Sequence, residues 1–505
     1  AGLIAIDTGE SVEEMRWALA TVRAQTSAPV VAVIYTHFHY VAGTSAVDGA
    51  GETVPIWGHE RIVANRQRVG VQMGPAAARG LIHQFGIMLP TDGPDGLVNV
   101  GLGVDFRRAE HAPFTPGFVE PTDTISEPTS TMLAGLRVEF TPAPSDADDS
   151  ITIWFPDLGV CINNLAWPAL FNVFPIRGEE YRDPRVLLSG FDHMLALEAE
   201  HLVGAHGPPL SGRGLIAREL TLARDAIQYL WDQTVRGINK GYTLGELTDF
   251  VQLPEVYEST YFTQQLYGLV EHHVKQIHAG LRGWFDGDDA LLFPMAPADR
   301  AERLVERLGG PERVRIEVAE AIDADDLRWA LELSSWLVRR SDSPTGEDQA
   351  LLARSLRTVA QRTTSANLRN YCLTRALELE GTLDLSRFRV HRLARELVAV
   401  TPPTAVVAAL GVVLDPDAAT GLDEEIRWRF SDGSVTGLHV RNGVAVPTSG
   451  ETAQTELRID LEVWPGLVGG KVTLDESLAD GSVTIDGSVA SVRQVVACLD
   501  FPGFA

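Results

Sequence analysis

Two histidines near the start of the chain stand two residues apart, in Thr36-His37-Phe38-His39. They follow the apolar run at 31–35, which is typical of a buried strand. In extended backbone, residues two apart project to the same side, so both imidazoles can face one metal ion. A loop after the carboxyl end of a strand is a common place for a site in α/β folds. The pair predicts metal binding, with a structural remnant as the alternative.

The elements that must position this pair belong to an α/β region. Up to residue 212, short β-branched runs alternate with helical patterns, which favours a layered α/β architecture. Strands are predicted at 3–6, 30–35, 136–140, 151–155 and 202–205, and helices at 12–24 and 185–200. Pro and Gly are dense over 73–128. That density predicts long loops with little regular structure, which often form active-site walls.

The remaining sequence shows two further patterns, a helical one and one with strands. From about Arg213 helical spacing recurs, and the later helices are predicted at 296–308, 314–322, 325–338, 348–363 and 366–379. In the last 120 residues strands reappear. Apolar alternation there flanks Asn442-Gly443, which predicts a two-residue hairpin. We therefore expect three domains, at 1–212, 213–385 and 386–505.

Composition excludes several classes of protein. The chain has 505 residues and a formal net charge of −26, which argues against sequence-independent nucleic-acid binding and against anionic membrane surfaces. Cys161, Cys372 and Cys498 are too few and too scattered for a disulfide framework, so we expect buried thiols. No membrane span and no signal peptide are visible, so a cytoplasmic location is the default. Because the chain opens on a strand, we expect upstream residues to be missing.

Several segments together resemble a known family. They are IDTGES at 6–11, the histidine pair at 36–39, and the stretches at 229–234, 267–275 and 283–287. These resemble the metallo-β-lactamase-fold alkyl sulfatases, which are zinc hydrolases of sulfate esters. The resemblance covers nearly the whole chain. It implies an αββα metallo-β-lactamase sandwich, incomplete at its amino-terminal edge, then an all-α dimerisation domain and an α+β domain similar to sterol carrier proteins.

The resemblance also implies the metal ligands, and here the chain departs from the family pattern. After the second His the family continues with x-Asp-His, whereas this chain has Tyr40-Val41-Ala42. The family's bridging carboxylate falls on Asn163, a neutral amide. The ligands that remain are His37, His39, Asp146 and His206. They are enough for one zinc ion with a water molecule, or the site holds none.

Other assignments stay open at this stage. Asp149 is an alternative to Asp146, and Asp146, Asp148 and Asp149 could instead form a solvated acidic loop. His59 and His111 are candidates to replace the lost ligands. His272 and His273 are expected to pack or to lie at an interface.

The substrate side of the site rests on two arginines and two asparagines. By the resemblance, Arg177 and Arg182 lie near the sulfate, and arginine suits an oxyanion because its planar fork donates two hydrogen bonds. Ion pairs with Glu179, Glu180 or Asp183 are the alternative. Asn163 and Asn164 are candidate catalytic residues that could donate to a sulfate oxygen, or they could satisfy buried backbone groups.

Two classes of function follow. The leading hypothesis is hydrolysis of alkyl sulfate esters by a homodimer, with zinc-bound water as nucleophile and a small amphiphilic anion as substrate. The alternatives are a catalytically degenerate dimer that binds an apolar ligand, and a hydrolase of another ester.

Overall fold

The computed structural model describes residues 2–68, 72–167, 172–179, 181–389, 395–500 and 503. The chain folds as two units. One comprises Ala1–Ile62 with Arg79–Leu385, and the other Val63–Ala78 with Ser386–Ala505. The candidate site lies in the first unit. The predicted three-domain division stays a prediction.

A four-stranded parallel sheet carries the histidine pair. Its strands, in spatial order, are β1 Leu3–Ile6, β2 Val30–Ile34, β3 Ile56–His59 and β4 Asp123–Ile125. The run Val-Val-Ala-Val-Ile of β2 is apolar throughout because both faces of a parallel sheet are covered. The predictions for β1 and β2 are confirmed. Strands β3 and β4 were not predicted.

A second sheet packs against the first. It has the spatial order β10-β9-β8-β7-β6-β5 and is antiparallel except between β8 and β9. Its strands are β5 Thr129–Leu133, β6 Leu136–Pro142, β7 Ile151–Phe155, β8 Val160–Asn163, β9 His201–Gly204 and β10 Leu210–Ser211. The loop between β6 and β7 and the ends of β8 and β9 supply several of the predicted site residues.

Helices cover the outer faces of the two sheets. Ile34 of the first sheet and Phe140 and Ile153 of the second share one buried core between the sheets. The first helices are α1 Val12–Arg23, α2 Ile62–Gln67, α3 Gly74–Phe85 and α4 Pro184–Ala196. Met15 of α1 packs on the first sheet, while α4 and the next helix pack on the second. The layers confirm the predicted αββα sandwich.

One expectation for this region, long loops with little regular structure over 73–128, was wrong in part. The span 73–128 is not loop throughout, because it contains α3 and β4. Pro75 is the second residue of α3, and proline is tolerated in a first helical turn, where its missing N–H has no intrahelical partner. Three alanines follow it and favour the helix.

The helical region follows the sandwich, as predicted. Its helices are α5 Arg213–Asn239, α6 Leu244–Phe250, α7 Val270–Arg282, α8 Asp289–Leu292, α9 Pro297–Arg307, α10 Pro311–Asp323, α11 Leu327–Arg339, α12 Gly346–Arg362 and α13 Ala366–Leu379. In α5, Leu220, Ala223, Ile227 and Leu230 are buried at helical spacing and share a core with α4. The segment between α6 and α7 contributes a tyrosine to the site.

The carboxyl-terminal region is α+β, as predicted. A sheet of order β13-β12-β11-β14-β15 packs against helices. The strands are β11 Asp423–Phe430, β12 Val435–Arg441, β13 Val444–Thr448, β14 Thr455–Ile459 and β15 Val483–Asp486, and the helices are α14 Arg395–Val400, α15 Pro403–Ala408, α16 Trp464–Val468, α17 Leu474–Asp480 and α18 Val489–Ala497. Asn442 and Gly443 join β12 to β13 with φ of 51° and 74°, which confirms the hairpin. Its likeness to sterol carrier proteins stays a prediction.

Two further expectations bear on the class of protein. Cys161, Cys372 and Cys498 are free and buried, which confirms their prediction as thiols. No helix among the described residues combines the length and the apolar character that crossing a bilayer requires.

Candidate metal centre

His37, His39 and Asp146 converge at the carboxyl end of β2. His37 Nε2 lies 2.9 Å from His39 Nδ1, and Asp146 Oδ2 lies 3.7 Å and 3.2 Å from the same two atoms. One ligand atom from each residue lies within 4.8 Å of the other two. Among the described residues, this is the one group of three or more such side chains that could hold a metal ion. We call it the metal triad.

Backbone contacts bring the two halves of the triad together. His37 is extended, with φ of −170°, and a short 3-10 helix follows at Phe38–Tyr40. Asp146 lies in the loop between β6 and β7, and that loop is tied to β2 because Ile151 N donates to Thr36 O at 3.0 Å. Both sheets of the sandwich therefore contribute to the site.

Asp7 and Thr36 support His37 from behind. Asp7 ends β1 in the left-handed region, with φ of 56°. Its carboxylate accepts from Thr36 N and from Thr36 Oγ1, both at 2.7 Å, and Thr36 Oγ1 lies 2.8 Å from His37 Nδ1. When Asp7 is ionised, its carboxylate takes the one proton of this hydroxyl, so His37 Nδ1 is the donor to Thr36. His37 Nε2 then presents a lone pair to the triad.

Burial sets the charges at this site. It lowers the pKa of His37 to about 3 and raises that of Asp7 to about 7. Burial would also raise the pKa of Asp146, but the interactions with His39 and with the charge of Arg182 hold it well below its usual value. At neutral pH the triad therefore combines a neutral His37 with an ionised carboxylate, the protonation states in which these groups bind metal ions.

Asn163 and Asn164 differ in their surroundings. Asn163 Oδ1 accepts from the backbone N–H groups of Leu165 and Ala166, at 2.8 and 2.7 Å, and its Nδ2 donates to Val203 O at 3.2 Å. Asn164 Nδ2 instead donates to Asp146 Oδ1 at 2.5 Å. Asn163 is thus engaged with the backbone, as in its alternative interpretation, whereas Asn164 orients a member of the triad. Their catalytic assignment stays a prediction.

Arg182 is buried and Arg177 is partly buried, and both form ion pairs with Glu179. Arg182 is 7% exposed, and its Nε and Nη1 have no hydrogen-bond partner among the described residues. Burial lowers the pKa of both arginines, and the charge of Asp146 acts on each of them. The predicted ion-pair alternative is therefore present through Glu179, while Glu180 lies outside the described residues. Within the described part of the chain, two buried donors of Arg182 still lack an acceptor.

The helical region reaches this arginine pair through Tyr267. Gln84 Nε2 donates to the Tyr267 hydroxyl, and Gln84 Oε1 accepts from Arg177 N, both at 3.0 Å. Burial raises the pKa of Tyr267, while Arg177 and Arg182 oppose that rise. Sequence reasoning missed Tyr267 because 90 residues separate it from Arg177 and no local pattern links them.

His206 stands apart from the triad. Its Nε2 is 3.5 Å from the Tyr40 hydroxyl, and its ring meets that of Trp167 edge-on at 5.3 Å. Burial lowers the pKa of His206 to about 4, so the ring is neutral at pH 7. Burial likewise raises the pKa of Tyr40 well above its usual value. The structure does not group His206 with the other three predicted ligands, and its assignment as a ligand stays a prediction.

The remaining candidates lie elsewhere. His59 Nδ1 accepts from Arg61 N at 3.1 Å, and Asp148 pairs with the same Arg61 at 2.6 Å. His111 packs on Trp17, with 5.7 Å between ring centroids. On α7, His273 is buried with its Nδ1 3.3 Å from Phe174 N, and His272 lies 3.9 Å from Glu271. Asp149 is buried near the triad without belonging to it.

Comparisons with known proteins agree with this architecture. Residues 243–382 match the family model for alkyl sulfatase dimerisation, and residues 392–505 match that for the alkyl sulfatase C-terminal domain. The linear primary-alkylsulfatase of Pseudomonas sp. (strain ATCC 19151) is 34% identical, with 99% of this chain and 97% of the relative covered. An (R)-specific secondary-alkylsulfatase of Pseudomonas sp. is 27% identical over 99% of this chain and 77% of the relative.

A solved structure shares the fold over almost the whole chain. The stereoselective inverting sec-alkylsulfatase Pisa1 from Pseudomonas sp. is 26% identical, with a TM-score of 0.88. The match covers 99% of this chain and 80% of that one. The full-length identity, the two family models and the shared fold lead to one conclusion: this chain belongs to the alkyl sulfatase family of hydrolases.

Proposed function

We propose that this protein hydrolyses sulfate esters of alkyl chains, using one zinc ion held by His37, His39 and Asp146. The observation that carries the proposal is the pairing of the metal triad with Arg182, whose Nε and Nη1 are buried without a partner among the described residues. A buried, unsatisfied guanidinium costs free energy unless an anion satisfies it. A sulfate group supplies the oxygens that these donors lack.

The triad fits a zinc ion. Ligand atoms at zinc's usual bond lengths stand about 3.3 Å apart around a tetrahedral ion. The three separations in the triad, 2.9, 3.2 and 3.7 Å, bracket that distance. The hydrogen-bonded chain through Thr36 also leaves His37 Nε2 free to coordinate. Three protein ligands leave one position open, which is the arrangement of a catalytic zinc site.

The same part of the chain offers few donors for a second ion. Val41 and Ala42, which replace the family's Asp and His, are buried and apolar. Asn163, at the position of the bridging carboxylate, uses its oxygen for two backbone N–H groups. These contacts support one ion per chain.

Bound zinc supplies positive charge and lowers the pKa of a coordinated water molecule to about 7. The chain's own residues do the rest. Arg182 donates to a sulfate oxygen through Nε or Nη1, which lie on opposite sides of the guanidinium, and Glu179 fixes its Nη2. Arg177 adds a second positive charge, and Gln84 holds its backbone. Asn164 holds Asp146 in place. Arg177, Arg182 and Glu179 together carry one net positive charge, which suits a monoanionic ester.

A cavity beside Asp146 supports an alkyl substrate. Its walls include Leu165, Trp167, Phe191 and Phe262, which are apolar and buried. We propose that the alkyl carbons next to the ester contact these apolar walls while the sulfate meets the arginines. An amphiphilic anion matches both surfaces, and the protein's charge of −26 requires the positive charge to be concentrated at this one place.

The test is release of inorganic sulfate from decyl sulfate by zinc-loaded protein. We expect stoichiometric sulfate and decanol, and loss of activity on chelation that zinc restores. No sulfate release by protein with one bound zinc would overturn the proposal and favour the degenerate, ligand-binding alternative. Hydrolysis of phosphate or carboxylate esters, without release of sulfate from decyl sulfate, would favour the alternative of a hydrolase of another ester.

We also propose that the protein is a homodimer, supported by the dimerisation match at 243–382. Large apolar side chains of that region are exposed, including Trp284 at 78% and Phe293 at 96%. Sedimentation equilibrium should give about twice the chain mass of 54.9 kDa. A monomer mass at micromolar concentration would contradict this.

A further inference from the structure

The side chain of Tyr40 connects the metal triad to His206. Its ring centroid lies 5.3 Å from that of His37, 6.2 Å from that of His39 and 5.4 Å from that of His206, each in edge-to-face geometry. Its hydroxyl points to His206, 3.5 Å from Nε2. The hydroxyl thus lies between the metal triad and His206.

The residues around Tyr40 in this part of the site are apolar or already hydrogen-bonded to the backbone. The Tyr40 hydroxyl is therefore the polar group that can meet a ligand there. Val41 is fully buried in the core under the first sheet, and Ala42 is 9% exposed. The amide of Asn163 is turned to the backbone. Where the family resemblance leads one to expect charged ligands, the chain presents a neutral hydroxyl beside a neutral imidazole.

The Tyr40 hydroxyl is also poorly satisfied within the protein. A separation of 3.5 Å from His206 Nε2 is at the long limit for a hydrogen bond. A charged oxygen at normal distance would be a better acceptor. Glu10, Asp146 and Arg177 are among the charged groups close enough to act on the pKa of this hydroxyl.

We propose that the Tyr40 hydroxyl donates a hydrogen bond to an oxygen of the bound sulfate ester. This inference rests on the proposed function, because it needs a sulfate held by Arg177 and Arg182 next to the triad. Tyr40 is then a substrate-binding residue that supplies a donor on the side where the chain lacks a second set of metal ligands. The hydroxyl has one proton, so in this complex His206 orients it by donating from Nε2–H to the phenolic oxygen.

The experiment compares binding of decane sulfonate to zinc-loaded wild type and Tyr40→Phe by calorimetry. In this probe carbon is bonded directly to sulfur, so no ester can be hydrolysed, and binding is measured independently of turnover. Loss of a hydrogen bond to a charged oxygen should raise Kd about ten-fold or more. Tyr35→Phe is the matched control, because its hydroxyl bonds to Thr44 and Val119 outside the site, and its Kd should equal that of wild type.

Each outcome decides between the inference and the proposed function. A weaker Kd in Tyr40→Phe, with one zinc per chain and an unchanged melting temperature, supports the inference. An unchanged Kd overturns it and leaves the proposed function intact. Loss of zinc from Tyr40→Phe also overturns it, since the residue would then act on the metal. If wild type neither binds decane sulfonate nor releases sulfate from decyl sulfate, the proposed function fails, and the inference fails with it.

Discussion

The two sides of the candidate site are built differently. On one side, His37, His39 and Asp146 bring three ligand atoms together, and a chain of hydrogen bonds from Asp7 through Thr36 fixes His37. On the other side, the residues are neutral: Tyr40, Val41, Ala42, Asn163 and His206. The difference teaches that supporting hydrogen bonds accompany the three grouped ligands, whereas His206, a ligand that the family resemblance also implies, contacts Tyr40 and Trp167 instead. Where ligands are replaced, their neighbours form ordinary backbone and core contacts.

Removing a triad ligand should have the largest effect. We expect His39→Ala to lose bound zinc and to lower kcat/KM for decyl sulfate about a thousand-fold, because metal ions contribute several kcal/mol of charge stabilisation. His201→Ala is the control, since that exposed side chain contacts Ser211 away from the site. Sulfate release and metal content are the measurements. Full activity in His39→Ala would show that the side with the metal triad contributes no more to activity than the neutral side.

Arg182→Ala should be the next most damaging change. It removes buried donors from the sulfate, so we expect kcat/KM to fall about a hundred-fold while zinc content stays at one. Arg185→Ala is a matched control, because Arg185 is exposed and pairs with Asp183. Steady-state kinetics with decyl sulfate measure the effect. Equal kcat/KM values for Arg182→Ala and Arg185→Ala would show that Arg182 does not bind the substrate.

Asp7→Asn tests the support behind His37. The amide would donate to Thr36 Oγ1, so Thr36 would donate to His37 Nδ1 and the imidazole proton would move to Nε2, where it blocks coordination. Zinc affinity, measured by chelator competition, should fall about ten- to a hundred-fold. Asp157→Asn, at an exposed carboxylate that accepts from Arg137 N, should leave it unchanged. Equal affinities in the two variants would show that the hydrogen-bonded chain does not matter.

His206→Gln tests the neutral side through the pH dependence of stability. The pKa of His206 is about 4 in the folded protein and about 6.5 when unfolded. As pH falls from 7 to 5, the unfolded chain takes up a proton that the folded chain does not, and stability drops.

For a single group with these pKa values the drop is about 2 kcal/mol. Urea unfolding of metal-free His206→Gln should therefore lose about 2 kcal/mol less than wild type over this interval. His201→Gln should behave like wild type. An identical pH slope in His206→Gln and wild type would show that His206 is not buried in its neutral form.

Local patterns predicted much of the fold. The strand before His37 and the hairpin at Asn442-Gly443 were readable because each depends on residues adjacent in sequence. Helix α3 was missed because Pro75 was counted as a loop signal, although proline is compatible with a first helical turn. Strand β3, Ile-Trp-Gly-His, is too short and mixed to show a period.

The site was only partly predictable for the same reason. His37 and His39 are two residues apart, and Asp146 was found through the family resemblance. Asp7 acts through Thr36, and Tyr267 reaches Arg177 from the helical region. Such contacts join segments far apart in sequence, so no periodicity or motif marks them. The orientation of the Asn163 side chain likewise depends on the loop that follows β8, because Leu165 N of that loop donates to its Oδ1.

The count of metal ions tests the central claim most directly. Protein loaded with excess zinc, desalted and analysed by mass spectrometry of the element should contain one zinc ion per chain, lost in Asp146→Ala. Two ions per chain would contradict the account, because they would require ligands on the side where the structure shows Tyr40, Val41 and Ala42. No bound zinc would contradict it equally, because the triad would then be a remnant.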